Sequence, residues 1–123
     1  MQNPTVAVLG AGSLGEIFAS GLIRAGWASD DLVLVSRRQE RADELAHQTG
    51  ILSITDPVAG IVGRDVVVIS VKPRDVPTVV DAISESLTKD QTVVSLAAGV
   101  ELATLEAALP DDFTSLLEVL RRD

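Results

Sequence analysis

Three groups of residues in this chain have the types and spacing to hold a phosphate-bearing ligand. The first is Gly10-Ala11-Gly12-Ser13-Leu14-Gly15, which spells G-x-G-x-x-G after the apolar residues Val6, Val8 and Leu9. In such a turn the first glycine permits a tight bend. The second lets a pyrophosphate approach the backbone, and the third lets the following helix pack closely on the strand. The free N–H groups and positive dipole end of that helix then face the phosphates. The second group is Ser36-Arg37-Arg38, directly after the apolar run Leu32–Val35. An acidic residue about 20 positions past the glycines would bond a ribose 2′-hydroxyl and favour NAD. A serine hydroxyl and an arginine fork suit a 2′-phosphate instead, which favours NADP. The third group is Ser70, Val71, Lys72 and Pro73 together with Ala97, Ala98 and Gly99, each set following a β-rich run. Small residues at a strand's carboxyl end leave room for a flat ring against the backbone.

No side chain stands out as catalytic. Lys72 reads as a cofactor-loop or surface residue, and His47, the sole histidine, falls on the exposed face of a helix. With no cysteine there is no thiolate nucleophile and no thiolate metal site, and no metal is expected.

The elements that must position these groups follow from hydrophobic period. Leu14, Ile17, Phe18, Gly21, Leu22 and Ala25 recur at helical spacing, giving an inward face, with Gly26 as a left-handed cap. Trp27 reads as packing at the edge of the core. Ser36 and Gln39 fit a capping box for a helix over 39–48, whose Ala42, Leu45, Ala46 and Thr49 face inward. Cations at that helix start oppose its dipole, which an anionic ligand would explain. A short strand at 51–55 precedes Asp56-Pro57, an N-cap and first-position proline. Residues 65–71 are the strongest strand signal. A helix with Val76, Val79, Val80, Ile83 and Leu87 inward follows, then a strand at 92–96 and a helix at 101–109. The strict alternation predicts a doubly wound, Rossmann-like parallel sheet in three α/β/α layers. Its ligand would lie at the strands' carboxyl ends.

Composition narrows the function classes. The chain has 123 residues, 46% of them hydrophobic but only 2% aromatic, so the core is aliphatic, as buried parallel strands require. Few aromatic rings argue against base stacking on single-stranded nucleic acid. A net charge of −8 disfavours nucleic acid and anionic membrane as partners. The amino terminus shows no signal-peptide pattern, and no apolar run reaches the ~18 residues of a membrane span. These features predict a cytoplasmic protein.

Taken together, the G-A-G-S-L-G turn, Val35-Ser36-Arg37, Val71-Lys72-Pro73 and Ala97-Ala98-Gly99-Val100 before Leu102-Ala103-Thr104-Leu105-Glu106 resemble the N-terminal domain of pyrroline-5-carboxylate reductases. The resemblance covers about residues 4–110. It implies hydride transfer from NADPH to a cyclic imine, giving proline. It also implies that Leu9, Gly10, Ala11, Gly12, Ser13 and Leu14 hold the pyrophosphate, and that Ser36, Arg37 and Arg38 hold the 2′-phosphate. Ser70, Val71, Lys72 and Pro73 would line the nicotinamide ribose, and Ala97, Ala98 and Gly99 the nicotinamide face.

The chain departs from that pattern at Pro57, where the family often has an asparagine that helps bind the adenosine ribose. It departs again near Asp112. There the family continues into a helical domain that dimerises and completes the substrate pocket, so the isolated chain is expected to be inactive. Two regions result: a dinucleotide-binding domain over 1–110 and an amphipathic helical tail over 111–123. The tail sets Phe113, Leu116, Leu117 and Leu120 on one face, either to cover a sheet edge or to pair two chains. Two other readings share this build. One is a non-catalytic NADP-binding or interaction module. The other is the cofactor domain of a coenzyme F420-dependent NADP reductase or of a β-hydroxyacid dehydrogenase-like enzyme.

Overall fold

The runs VAVL, LVLV and VVVI are apolar at every position, and a strand can bury both its faces only between two helical layers. A computed structural model of the chain describes residues 4–95. Five strands, β1 (Val6–Leu9), β2 (Leu32–Val35), β3 (Leu52–Ile54), β4 (Val66–Ile69) and β5 (Thr92–Ser95), form one sheet. Their order is β3-β2-β1-β4-β5, and every pairing is parallel. The helices are α1 (Ser13–Arg24), α2 (Gln39–Thr49), α3 (Pro57–Ile61) and α4 (Val76–Ile83). Short 3-10 turns lie at Ser29–Asp31 and Pro73–Asp75. This is the Rossmann-like doubly wound sheet that the alternation predicts. The chain steps outward from β1 to β2 and β3, then crosses back to β4 and β5, so the switch point lies between β1 and β4.

Pairing register aligns the ends of the three central strands. Leu9 stands level with Val35 on one side and Ile69 on the other. The loops after β1, β2 and β4 therefore leave the sheet side by side. β1, β2 and β4 are buried throughout, and with Leu45, Ile51, Ile61, Val80 and Ile83 they make an aliphatic core.

The helices follow their local signals with two corrections. α1 closes as expected: Gly26 has φ +101°, its N–H donates to the Ile23 carbonyl, and Trp27 N–H donates to the Leu22 carbonyl. Trp27 is half-buried against the core. On the inward face expected for α1, Phe18 and Leu22 do pack against the core, but Ile17 does not. Ile17 is 64% exposed, whereas Ala19 is fully buried and Gly15 lies against β1. A Cβ on Gly15 would sit 3.2 Å from Val8 Cγ1, so the helix rides too close to the sheet for a large residue at that position. The second correction concerns Ser36. It does not cap α2; Arg38 holds the N-cap position without a side-chain cap bond, and Ser36 Oγ donates to the Arg38 carbonyl at 3.3 Å.

α3 is capped by Asp56, whose carboxylate accepts from Val58 N–H at 3.0 Å. It lies so near β2 that a Cβ on Gly60 would fall 2.5 Å from Val35 Cγ2. At the amino-terminal end of the sheet, Gln91 is buried and fully bonded. Its Nε2 donates to the carbonyls of Ile61 (2.7 Å) and Arg64 (2.9 Å), and its Oε1 accepts from Thr88 N–H (3.0 Å). Among the described residues no helix is long and apolar enough to cross a membrane. The helix expected at 101–109 and the tail at 111–123 lie outside the described residues.

Candidate functional site

The glycine turn is built by β1 and anchored by its neighbour. Gly10 adopts φ +80°, a conformation that favours glycine. The N–H groups of Gly10 and Ala11 both donate to the Val35 carbonyl, at 2.8 and 3.0 Å, and Gly12 N–H donates to the Gly10 carbonyl at 2.7 Å. Helix geometry leaves the next N–H groups, those of Ser13, Leu14 and Gly15, without intrahelical acceptors. Gly12 faces open space, with no atom within 4 Å of where its Cβ would be.

Three loops enclose an open pocket of about 370 Å³. Gly10, Ala11 and Gly12 form its floor, Ser36, Arg37 and Arg38 one wall, and Ser70, Val71 and Lys72 the other. Arg41, Arg74 and Asp75 complete it. Leu9 is buried as the last residue of β1, and its carbonyl accepts Ser70 N–H at 2.8 Å, so it joins two of the loops from beneath. Pro73 is exposed and opens the 3-10 turn beside Lys72. Ser13 and Leu14 open α1, and Ala97, Ala98 and Gly99 lie outside the described residues. Pro57 is the first residue of α3 and is not among the residues lining the pocket.

The reading from sequence missed three of the lining residues. Arg41 is the most built in: its side chain is 22% exposed, its Nε donates to the Ala11 carbonyl at 3.3 Å, and its guanidinium pairs with Glu16 and Glu44. It ties the glycine turn to α1 and α2 at once. Its position one helical turn after Arg38 was the available signal. Arg74 and Asp75 reach the pocket from the turn after β4, and Arg37 Nη1 lies 3.8 Å from Asp75 Oδ2.

The chemistry of this lining is that of a polyanion site. Five cationic side chains meet one carboxylate there, in a chain whose net charge is −8. Ser70 Oγ is buried beside Gly15 with no hydrogen-bond partner, a cost that a ligand hydroxyl or phosphate oxygen would remove. The open flank of Gly12 would admit phosphate against the backbone. Among the described residues no cluster of His, Cys, Asp or Glu could hold a metal ion.

Gly12→Ala separates binding from folding. Gly12 has φ −83° and no neighbour for a Cβ to strike, so stability should change by no more than about 0.5 kcal/mol. Dinucleotide affinity should fall at least about tenfold, the equivalent of ~1.4 kcal/mol. Thermal unfolding and nucleotide titration of the variant check both halves; unchanged affinity would mean that phosphate does not approach the backbone at Gly12.

A parallel sheet with a glycine turn at its switch point and cations at the neighbouring strand end defines a dinucleotide-binding domain of the oxidoreductase type. Over residues 5–99 the chain matches, and belongs to, the family described as NADP oxidoreductase, coenzyme F420-dependent. It is 37% identical over 105 residues to the pyrroline-5-carboxylate reductase of Corynebacterium melassecola, an alignment covering 83% of this chain and 39% of that protein. Its structure is similar to that of a pyrroline-5-carboxylate reductase from Coxiella burnetii, with a TM-score of 0.80 and 27% identity over 88% of this chain and 40% of that one. The Plasmodium falciparum pyrroline carboxylate reductase, solved with NADP bound, shares the fold at a TM-score of 0.76 and 19% identity, over 91% of this chain and 40% of that one. The chain thus spans about two fifths of the length of the relatives it matches.

Proposed function

We propose that this chain is the NADP(H)-holding domain of a pyrroline-5-carboxylate reductase-like oxidoreductase. One observation carries the reading: Arg37 and Arg38 follow β2 where an NAD-preferring domain would carry an acid, and they face the glycine turn across a single pocket. The family's description and the likeness to pyrroline-5-carboxylate reductases support it.

In this reading Gly10, Ala11, Gly12 and the first-turn N–H groups of Ser13 and Leu14 hold the pyrophosphate, with Leu9 beneath them. Ser36, Arg37 and Arg38 hold the 2′-phosphate. Ser70, Val71, Lys72 and Pro73 line the nicotinamide ribose, with Ser70 Oγ gaining its missing partner, and Ala97, Ala98 and Gly99 back the nicotinamide. When bound, the reduced nicotinamide would supply a hydride to the carbon of a cyclic imine, and with a proton gained at the ring nitrogen the product would be proline. The chain's own part is to orient and electrostatically anchor the cofactor; no side chain here is assigned a proton transfer. The imine is the small-molecule partner, and a further domain completes its pocket, so this chain by itself is expected to turn over little or none of it. The cytoplasm is the compartment this reading implies. Pairing of two chains through the apolar repeat of Phe113, Leu116, Leu117 and Leu120 belongs to the same reading.

The test is a titration with NADPH and NADH, followed by nicotinamide fluorescence, on the chain and on Arg37→Ala. NADPH should bind more tightly, and the variant should lose about 10- to 100-fold for NADPH, the value of a charge-assisted bond, with NADH little changed. Equal affinity for both nucleotides, or binding of neither, would overturn the assignment.

A further inference from the structure

We infer that Asp75 is a specificity-determining residue that restrains binding of the 2′-phosphate by competing for Arg37, an inference that rests on the NADP(H) reading above. Asp75 is the one acidic side chain among the residues lining the pocket. Its Oδ2 lies 3.8 Å from Arg37 Nη1, so any anion taken up by that guanidinium becomes a close neighbour of the carboxylate.

The two partners are held very differently. The Arg37 side chain is 83% exposed and can reorient, whereas that of Asp75 is 32% exposed. The Asp75 backbone is fixed in the 3-10 turn by its N–H bond to the Lys72 carbonyl at 2.8 Å. An exposed pair of this length is weak, and a phosphate with two negative charges displaces it readily. The carboxylate then stays where the turn holds it and repels the newcomer.

The pair also spans the pocket. Arg37 leaves the end of β2, while Asp75 belongs to the turn that follows β4, on the far side of β1. Arg38, Lys72 and Arg74 supply attraction from both walls, so the site binds the phosphate in spite of Asp75. The carboxylate sets how tightly it does so. Helix capping does not account for this side chain, since Asp75 occupies the N-cap position of α4 but makes no side-chain cap bond. Replacing it with asparagine keeps the shape, removes the charge and exchanges one acceptor oxygen for an NH2 group.

The experiment is calorimetric titration of the chain, Asp75→Asn, Arg37→Ala and the double variant with NADPH, NADH and adenosine 2′,5′-bisphosphate. Asp75→Asn should bind NADPH and the bisphosphate about threefold to tenfold more tightly, with NADH within about twofold. The gain should shrink when Arg37 is also alanine, because the competition for its guanidinium is then gone, and a gain of full size in the double variant would count against the inference. If Asp75→Asn leaves affinity for the 2′-phosphorylated ligands unchanged or weakens it, while Arg37→Ala still abolishes the preference for NADPH, the inference fails and the NADP(H) reading stands. If the parent chain does not prefer NADPH over NADH, both fall.

Discussion

Gly10→Ala should cost about 2–5 kcal/mol of stability and with it most of the nucleotide affinity. Two effects add. A residue with a Cβ at φ +80° loses ~1–2 kcal/mol against glycine. The new Cβ would also lie 2.1 Å from Val71 Cγ1 and 3.1 Å from Val71 N. Val71 is β-branched and packed against the core, so it has few rotamers to retreat to, and part of the conflict is with backbone. Overpacking of this kind costs a further ~1–3 kcal/mol. The thermal midpoint should fall by roughly 8–25 °C. Because Val71 stands on the second wall of the pocket, its displacement should weaken NADPH binding even where the variant is folded. Combining Gly10→Ala with Val71→Ala relieves the side-chain clash but not the φ cost, so it should recover part of the loss. A fully additive pair in thermal unfolding would refute this account.

Gln91→Ala should destabilise the fold by about 2–4 kcal/mol and leave the affinity of the folded protein for NADPH unchanged. The side chain is buried and satisfies three backbone groups: the carbonyls of Ile61 and Arg64 and the N–H of Thr88. Truncation leaves those groups without their partner, at ~1–3 kcal/mol for each one that water does not reach. Gln91→Glu should be no milder. It keeps the acceptor for Thr88 N–H but turns an oxygen toward two carbonyls. Denaturant unfolding gives the stability change, and titration below the transition gives the affinity. A loss of affinity without loss of stability would be the contrary result. The contrast with Gly10 comes from topology, since Gln91 precedes β5 at the amino-terminal end of the sheet and the pocket opens at the other end.

Local grammar made much of this legible in the sequence. Unbroken apolar runs mark β1, β2 and β4, Asp56-Pro57 marks the start of α3, and Val76, Val80 and Ile83 mark the buried face of α4. The loops after β1, β2 and β4 were identifiable as neighbours because a doubly wound order brings them together. What escaped depended on distances that no period encodes. Ile17 fits the apolar spacing of α1, yet the helix lies so close to β1 that Gly15 and Ala19 fill the interface and Ile17 faces out. Ser36 and Gln39 fit a capping box, yet the hydroxyl folds back on the Arg38 carbonyl, two residues away. Arg41 carries no local signal beyond its spacing from Arg38. Its value lies in contacts with Ala11 and Glu16, 30 and 25 positions earlier in the chain. Asp75 meets Arg37 only because β2 and β4 flank the same strand.

The Val35 carbonyl receives the N–H groups of both Gly10 and Ala11. The bend after β1 is therefore held by a residue that the chain reaches only after α1 and a second strand. In the order of assembly the cradle comes late: β2 must dock beside β1 before the turn has its acceptor. A segment carrying the glycines and α1 alone would possess the motif's letters without its shape. The unit of recognition is the complete strand–helix–strand, and the residue that completes it is immediately followed by Ser36, Arg37 and Arg38. Docking of one strand thus shapes the glycine turn and presents Ser36, Arg37 and Arg38 beside it in a single step.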